Sequence, residues 1–468
     1  MVGIGLVATA LRLAGCLDGL WLDEIWSWAI ARQLEGPIDL FRNHAVDNNH
    51  PLNTLVLWAL GDLTAWQIYR LPVAVFGIAA VYLGWLWAKP RGKPAQVATA
   101  VTLAVAYPLV LYGSEARGYG YAVGFAMLLL VAGDGRASRS WIWACAYAAA
   151  AVLGILSHFT FVPLLLASAV WLALEMRFRA ARWTRWAAMH AIPCAFLLLY
   201  TWGFAARMEY GGGPRFDAVG LYLDTVGLLL YPLSPSWLAA FGLPLMLVAG
   251  LIGLARRRDP RAVLFALGMT LPVAAAAFQV IRSSTEAPPP LFPRYFLLGL
   301  LLALLLLSEW WAAAMAHTRG ARRAVIGLVG GGVLAVNLFA DVRQIQVGRT
   351  NWPAAALLID RLTPPGAPIT LAGDHDFRTS LEAGFYMRWV GRDLEYITLD
   401  RLNATDGDGW PTWLILHHAP GSPEPSATLG AGAARYGVVA RFAGYGPSGA
   451  GLAVFRRADA PAIVPTAP

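Results

Sequence analysis

Four short polar clusters interrupt an otherwise apolar chain, and each holds residue types that can move a proton or bind a phosphate. The first, Trp21-Leu22-Asp23-Glu24-Ile25-Trp26-Ser27, sets two adjacent carboxylates at the start of an aromatic helix. A carboxylate there can take the proton of an attacking hydroxyl; the same pair can instead cap the helix and complement its dipole. The second, Asn48-Asn49-His50-Pro51-Leu52, places a histidine before a proline suited to a helix start, and its plain alternative is a solvated turn. The third, Gly113-Ser114-Glu115-Ala116-Arg117-Gly118-Tyr119, offers an acid and a cation that could simply neutralise one another near headgroups. In the fourth, Phe292-Pro293-Arg294-Tyr295-Phe296, the arginine can snorkel and the tyrosine can join an aromatic belt. Taken singly, each cluster is explained without chemistry.

The elements that position these clusters are membrane helices. The chain has 468 residues, 58% hydrophobic and 14% charged, with a mean hydropathy of +0.54. Soluble proteins carry about 25% charge. A bilayer core takes roughly 20 apolar residues per helix, and irregular backbone cannot face lipid. The alternating ten-residue segments of a membrane barrel are absent. The expected fold is therefore a polytopic α-helical membrane protein with about eleven transmembrane helices and a small C-terminal α/β soluble domain.

Spans are expected at 1–17, 66–88, 95–112, 118–133, 140–157, 159–175, 187–206, 236–255, 262–281, 295–313 and 324–340. The first reads as an uncleaved signal anchor. The joint Ser157–His158, where two apolar runs meet with almost no loop, decides the count. Basic loops carry Lys89, Arg91 and Lys93; Arg136 and Arg139; Arg177, Arg179, Arg182 and Arg185; Arg256, Arg257, Arg258 and Arg261; and Arg319, Arg322 and Arg323. These should face the cytoplasm. The intervening loops, with Asp23, Glu24, Asp39, Asp47, Glu115, Glu209, Asp217 and Glu286, should face the periplasm or exterior. Two of them are rich enough to be more than connectors: 18–65, with Trp21, Trp26, Trp28 and Trp58, and 208–235, with the run Gly211 to Gly213. Arg12 and His190 sit near span ends.

Beyond the transmembrane domain, 1–340, the segment 341–468 has the composition of a soluble domain. A helix is expected at 351–362, and strands at 369–372, 394–399, 413–417, 436–442 and 452–455. Asp374-His375-Asp376 and His417-His418 raise a metal site as one reading and loop and strand-end residues as the other. Cys16, Cys145 and Cys194 show neither disulfide nor ligand spacing. The net charge of +8 is distributed as topology signals, with no nucleic-acid-binding motif, so no nucleic-acid partner is expected.

This threading brings all four clusters to one side. Asp23, His50, Glu115 and Arg294 would then line one outward-facing cavity, where a base activates an acceptor and cations neutralise a departing phosphate. The ordered set Trp21-Leu22-Asp23-Glu24, His50-Pro51-Leu52, Tyr69-Arg70-Leu71-Pro72, Ser114-Glu115-Ala116-Arg117 with Tyr119, and Arg294-Tyr295 resembles the GT-C superfamily of polyprenyl-phosphate-dependent glycosyltransferases. It looks closest to the branch with protein O-mannosyltransferases and the lipid A aminoarabinose transferase.

The resemblance implies an inner-membrane enzyme that moves a sugar, with inversion, from a polyprenyl-phosphate donor to a lipid, glycan or protein acceptor of the envelope. It casts Asp23 as general base, supported by Glu24, with Glu115 organising the site. His50, Arg117, Arg294 and Tyr295 fall to the donor lipid phosphate. A divalent metal on Asp23 and Glu115 stays open, because a glutamate stands where relatives carry an aspartate. A single Pro51 replaces the usual pair of prolines. Two other readings compete: a transporter or flippase for lipid-linked sugars, which would favour ionisable residues at mid-bilayer and interrupted helices, and a catalytically silent scaffold of the same fold.

Overall fold

The computed structural model describes residues 1–46, 50–136, 140–176, 180–208, 217–231, 233, 237–282, 291–403, 409–419, 422–431 and 434–460. Asp47, Asn48, Asn49, Arg139, Arg177, Arg179, Glu209, the glycines 211–213 and Glu286 lie outside the described residues. The chain divides into two compact units, one of Met1–Cys16, Ile30–Gly61 and Ile68–Val342, the other of Leu17–Ala29, Asp62–Gln67 and Arg343–Pro468. The loop 18–65 is thus shared between the units.

The helices run α1 (Val2–Gly15), α2 (Leu22–Gln33), α3 (Asp39–Asn43), α4 (Pro51–Leu60), α5 (Gln67–Ala88), α6 (Lys93–Val105), α7 (Tyr107–Tyr112), α8 (Gly118–Gly133), α9 (Trp141–Ser157) and α10 (Val162–Met176). They continue with α11 (Ala180–Gly203), α12 (Ala218–Gly227), α13 (Trp237–Arg256), α14 (Arg261–Arg282), α15 (Leu297–His317) and α16 (Gly320–Val347). Each stretch expected to span is largely helical among the described residues. Among the described residues six helical stretches are long and apolar enough to cross a membrane, and α1, α8 and α9 are shorter apolar helices.

One expected span is broken. Residues 95–112 form α6 and α7, separated by Ala106 in an extended conformation (φ −66°, ψ 114°). Pro108 has no N–H, so the helical ladder cannot run on through it, and the carbonyls and amides freed at the break need other partners. Arg12 of α1 supplies one set, donating to Ala104 O at 3.1 Å and Leu103 O at 3.0 Å. Asn337 of α16 supplies the other, accepting from Tyr107 N–H at 2.8 Å while its own amide donates to Leu229 O at 2.8 Å. Arg12 is buried and coupled electrostatically to buried Asp341. This residue near a span end is a brace between the first helix, the broken one and α16.

The second unit adds α17 (Trp352–Arg361), α18 (Asp376–Trp389) and α19 (Leu399–Asn403) to a mixed sheet. Its strands are β1 (Ile369–Gly373), β2 (Leu394–Tyr396), β3 (Trp413–His418), β4 (Thr428–Ala431), β5 (Ala434–Phe442) and β6 (Gly451–Arg457), in the order β2-β1-β3-β6-β5-β4. β1 pairs parallel with β2 and β3, and the other pairs are antiparallel, with a bulge in β5 between Val438 and Ala440. The parallel β1–β2 pair needs a crossover, and α18 provides it. Strand β4 and helix α18 go beyond the sequence expectation: β4 is short, and the exposed face of α18 mixes charge with aromatic residues.

Candidate functional site

Within the first unit, two helix starts and two loops bring the expected phosphate-binding residues together. His50 is the N-cap of α4, with Pro51 at the first helical position. Arg117 is the N-cap of α8. Asn53, one turn into α4, donates to Ala116 O at 2.8 Å and ties that helix to the 113–117 loop. His50 Nε2 lies 2.8 Å from an Arg117 terminal nitrogen. A guanidinium only donates, so Nε2 accepts and the His50 ring proton sits on Nδ1.

Gly118 sets the next approach. A Cβ at this position would lie 1.8 Å from Ser157 O, so only glycine lets the end of α9 reach the start of α8. That contact carries the following residue, His158, into the cluster. Its ring stacks on His50 (centroids 4.7 Å apart, 29° between planes) and lies 4.5 Å from Tyr119. Tyr295, from the 3₁₀ turn Pro293–Phe296, comes to 6.0 Å of the same ring. Arg294 lies over the ring of Phe292 at 4.1 Å. His50, Glu115, Arg117, His158 and Arg294 are all buried.

The electrostatics of the cluster keep both imidazoles neutral. Burial first, then chiefly the charges of Arg117 and Arg294, hold the His50 pKa well below its usual 6.5. For His158 burial again leads, followed by Arg117 and Arg294. The result is a net positive cluster of two guanidiniums and two neutral imidazoles, with tyrosines at its edge. Beside it runs an apolar cavity of about 530 Å³, lined by Phe159, Leu271, Pro272, Phe278, Phe296 and Tyr295. Tyr295 belongs to both the polar cluster and the apolar cavity.

Asp23 and Glu24 fall in the second unit. Glu24 Oε2 accepts from Trp21 N–H at 3.2 Å, the return half of a capping box that closes the start of α2. Asp23 is buried, and its carbonyl accepts from Ser27 Oγ at 2.9 Å. Helix α18 grips this segment from one side. Trp26 meets Phe377 edge-on at 5.1 Å, Trp28 meets Phe385 in the same way at 5.1 Å, and the Tyr386 hydroxyl donates to Leu20 O at 2.7 Å. Arg349 lies over the Trp21 ring at 4.2 Å.

Among the described residues no three of His, Cys, Asp and Glu are grouped so as to hold a metal ion. In the second unit, Asp374 and His417 do meet, but as a closed hydrogen-bonded cluster. His417 Nδ1 lies 2.8 Å from Asp374 Oδ1 and Nε2 lies 3.2 Å from Glu382 Oε2, which also accepts from Trp352 Nε1 at 2.9 Å. His375 caps α18 by accepting from Arg378 N–H, and Asp376 accepts from Leu399 N–H and the Tyr396 hydroxyl.

Sequence reasoning missed His158, which it treated as the joint between two spans. The available signal was a histidine in a joint too short to be solvated, with a hydroxyl residue two positions on.

No protein-family model matches the sequence, and no curated protein matches it. Solved structures do. The chain aligns with the crystal structure of ArnT from Cupriavidus metallidurans in the apo state over 97% of this chain and 96% of that one, with a TM-score of 0.53 and 14% identity. It aligns with ArnT from the same organism bound to undecaprenyl phosphate over 97% of each chain, with a TM-score of 0.52 and 15% identity. The chain has the ArnT fold. That likeness spans both units, so the helical membrane region and the small C-terminal sheet expected from the sequence belong to one shared architecture.

Proposed function

We propose that this protein is an integral membrane glycosyltransferase that uses a polyprenyl-phosphate sugar as donor. The observation that carries the reading is the juxtaposition of a buried net-positive cluster (His50, Arg117, Arg294) with an apolar cavity through Tyr295, which matches a lipid with an anionic head and a hydrocarbon tail. A fold shared with a protein crystallised with undecaprenyl phosphate supports the same donor class.

In this reading transfer takes place on the outer face of the inner membrane. The acceptor hydroxyl attacks the anomeric carbon from the side opposite the phosphate, so the configuration inverts. As the new C–O bond forms, the bond from anomeric carbon to phosphate oxygen breaks. The acceptor proton passes to Asp23, and the electron pair leaves on the polyprenyl phosphate. Arg117 and Arg294 neutralise that leaving charge, while Glu115 orients the loop that carries Arg117. Glu24 acts on Asp23 through the helix start it caps. The acceptor is a lipid, glycan or protein of the envelope.

The carrier reading draws on the broken helix α6–α7. Both sides of that break are already bonded, by Arg12 and Asn337, which gives a static brace in place of an ion or substrate site.

The test is sugar transfer from a polyprenyl-phosphate donor by the purified protein in lipid nanodiscs. Asp23→Asn is expected to insert and fold normally and to lose about 10²–10⁴-fold in rate. Full activity in that variant would refute the role of Asp23. Mass spectrometry of lipids from a deletion strain should show an unspent polyprenyl-phosphate sugar, and its absence would favour a silent scaffold.

A further inference from the structure

His158 has one nitrogen that is occupied and one that is not. Its Nδ1 lies 3.2 Å from Thr160 N and 2.8 Å from Thr160 Oγ1. A backbone N–H can only donate, so Nδ1 is the acceptor, and the proton of the neutral ring sits on Nε2. That Nε2 is buried and has no hydrogen-bond partner among the described residues. A buried N–H is normally satisfied, and an orphan one calls for a reason.

The surroundings supply the reason. The ring is enclosed by His50, Tyr119 and Tyr295, inside the cluster that holds Arg117 and Arg294. Thr160 also lines the apolar cavity beside it. A neutral donor in such a place suits one ligand atom, an anionic oxygen, to which a hydrogen bond is charge-assisted.

We propose that His158 binds the phosphate of the polyprenyl-phosphate lipid through its Nε2–H, and that Thr160 acts as the positioning residue that fixes this tautomer. The inference rests on the reading of the cluster as a polyprenyl-phosphate site. Two imidazoles then serve in parallel with opposite tautomers: Arg117 holds His50 with its proton on Nδ1, and Thr160 holds His158 with its proton on Nε2. The headgroup is met by guanidinium charge and by a donor that adds none, which distinguishes a phosphate from a neutral polyprenol without further burial of positive charge.

The experiment is a native mass spectrometry titration of the full-length protein with undecaprenyl phosphate and, separately, with undecaprenol. His158→Phe is expected to weaken undecaprenyl phosphate about tenfold and leave undecaprenol unchanged. His158→Gln, whose amide can donate, should recover most of the loss, and Thr160→Val should lose about threefold. Equal binding of the phosphate by wild type and His158→Phe would overturn the assignment, as would a parallel loss of both lipids, which marks a packing role. Arg294→Ala separates this from the wider reading. If it weakens the phosphate lipid while His158→Phe does not, only the His158 assignment falls. If wild type shows no preference for phosphate over alcohol, the donor site falls and this inference with it. Nitrogen-15 spectra of histidine-labelled wild type, assigned by the signal lost in His158→Gln, should show a protonated Nε2 that shifts on adding undecaprenyl phosphate. A proton on Nδ1 would refute the tautomer.

Discussion

His158 and His417 are both buried histidines flanked by polar partners, and the environment makes them opposites. His158 sits among guanidiniums, gives one nitrogen to Thr160 and keeps a proton on the other with no acceptor among the described residues. His417 sits between two carboxylates that take up both its nitrogens. Burial opposes a charge on His417, but the bonds to Asp374 and Glu382 together outweigh it and hold its pKa above 6.5. The same bonds, against burial, hold Asp374 below its usual 3.8. A histidine whose bonding is complete ties elements together: here the end of β1, the end of β3 and the middle of α18. A histidine with a donor to spare is set up for a ligand. Completeness of hydrogen bonding, more than burial, separates structural from binding roles in this fold.

That contrast is open to direct attack. The largest expected effect is from Arg117→Ala combined with Arg294→Ala, which should lower sugar transfer at least about 100-fold with little change in melting; a collapse of the melting transition instead would make the cluster structural. Next, Glu382→Ala removes one partner from a buried charged cluster, a change that costs about 3–5 kcal/mol. Melting of the full-length protein should fall by several degrees, while undecaprenyl phosphate affinity stays within about twofold. Comparable losses in affinity would erase the distinction between the two clusters.

A smaller effect should appear with pH. Because the folded pKa of His417 is raised, the stability it contributes is complete below about 6.5 and is lost as pH rises through the raised value. Asp374, with its pKa lowered, contributes above about 3.9 and loses that contribution as pH falls toward its folded value. The melting gap between wild type and His417→Gln should therefore be widest near pH 5–6, by this linkage about where both groups are charged, and should narrow toward pH 9. A gap that widens with pH would show that His417 is bonded as a neutral ring.

Much of this was legible in the sequence, for reasons that differ from region to region. Apolar runs of helical length foretold the helices because lipid leaves the backbone no other choice. His50, Arg117, Arg294 and Tyr295 stood out as candidates because polar and ionisable residues at the ends of such runs are costly. Hydropathy could not show the break at Ala106, since its repair comes from Arg12 and Asn337, both far away in the chain. Nor could it show that Asp374 and His417 close on Glu382, because the glutamate lies on α18, whose apolar pattern is too weak to mark its buried face. His158 was hidden for a further reason. Its significance lies in a nitrogen left over after local bonding, and that is a property of geometry alone.

The brace at Ala106 also bears on how the protein is made. Arg12 leaves the ribosome in α1, ahead of the carbonyls of Leu103 and Ala104 and long before Asp341 exists. A guanidinium on a lone helix in lipid is poorly accommodated until partners arrive. Helix α1 therefore waits on later helices: Arg12 meets its carbonyl partners only once α6 has formed, and Asp341 only when α16 arrives.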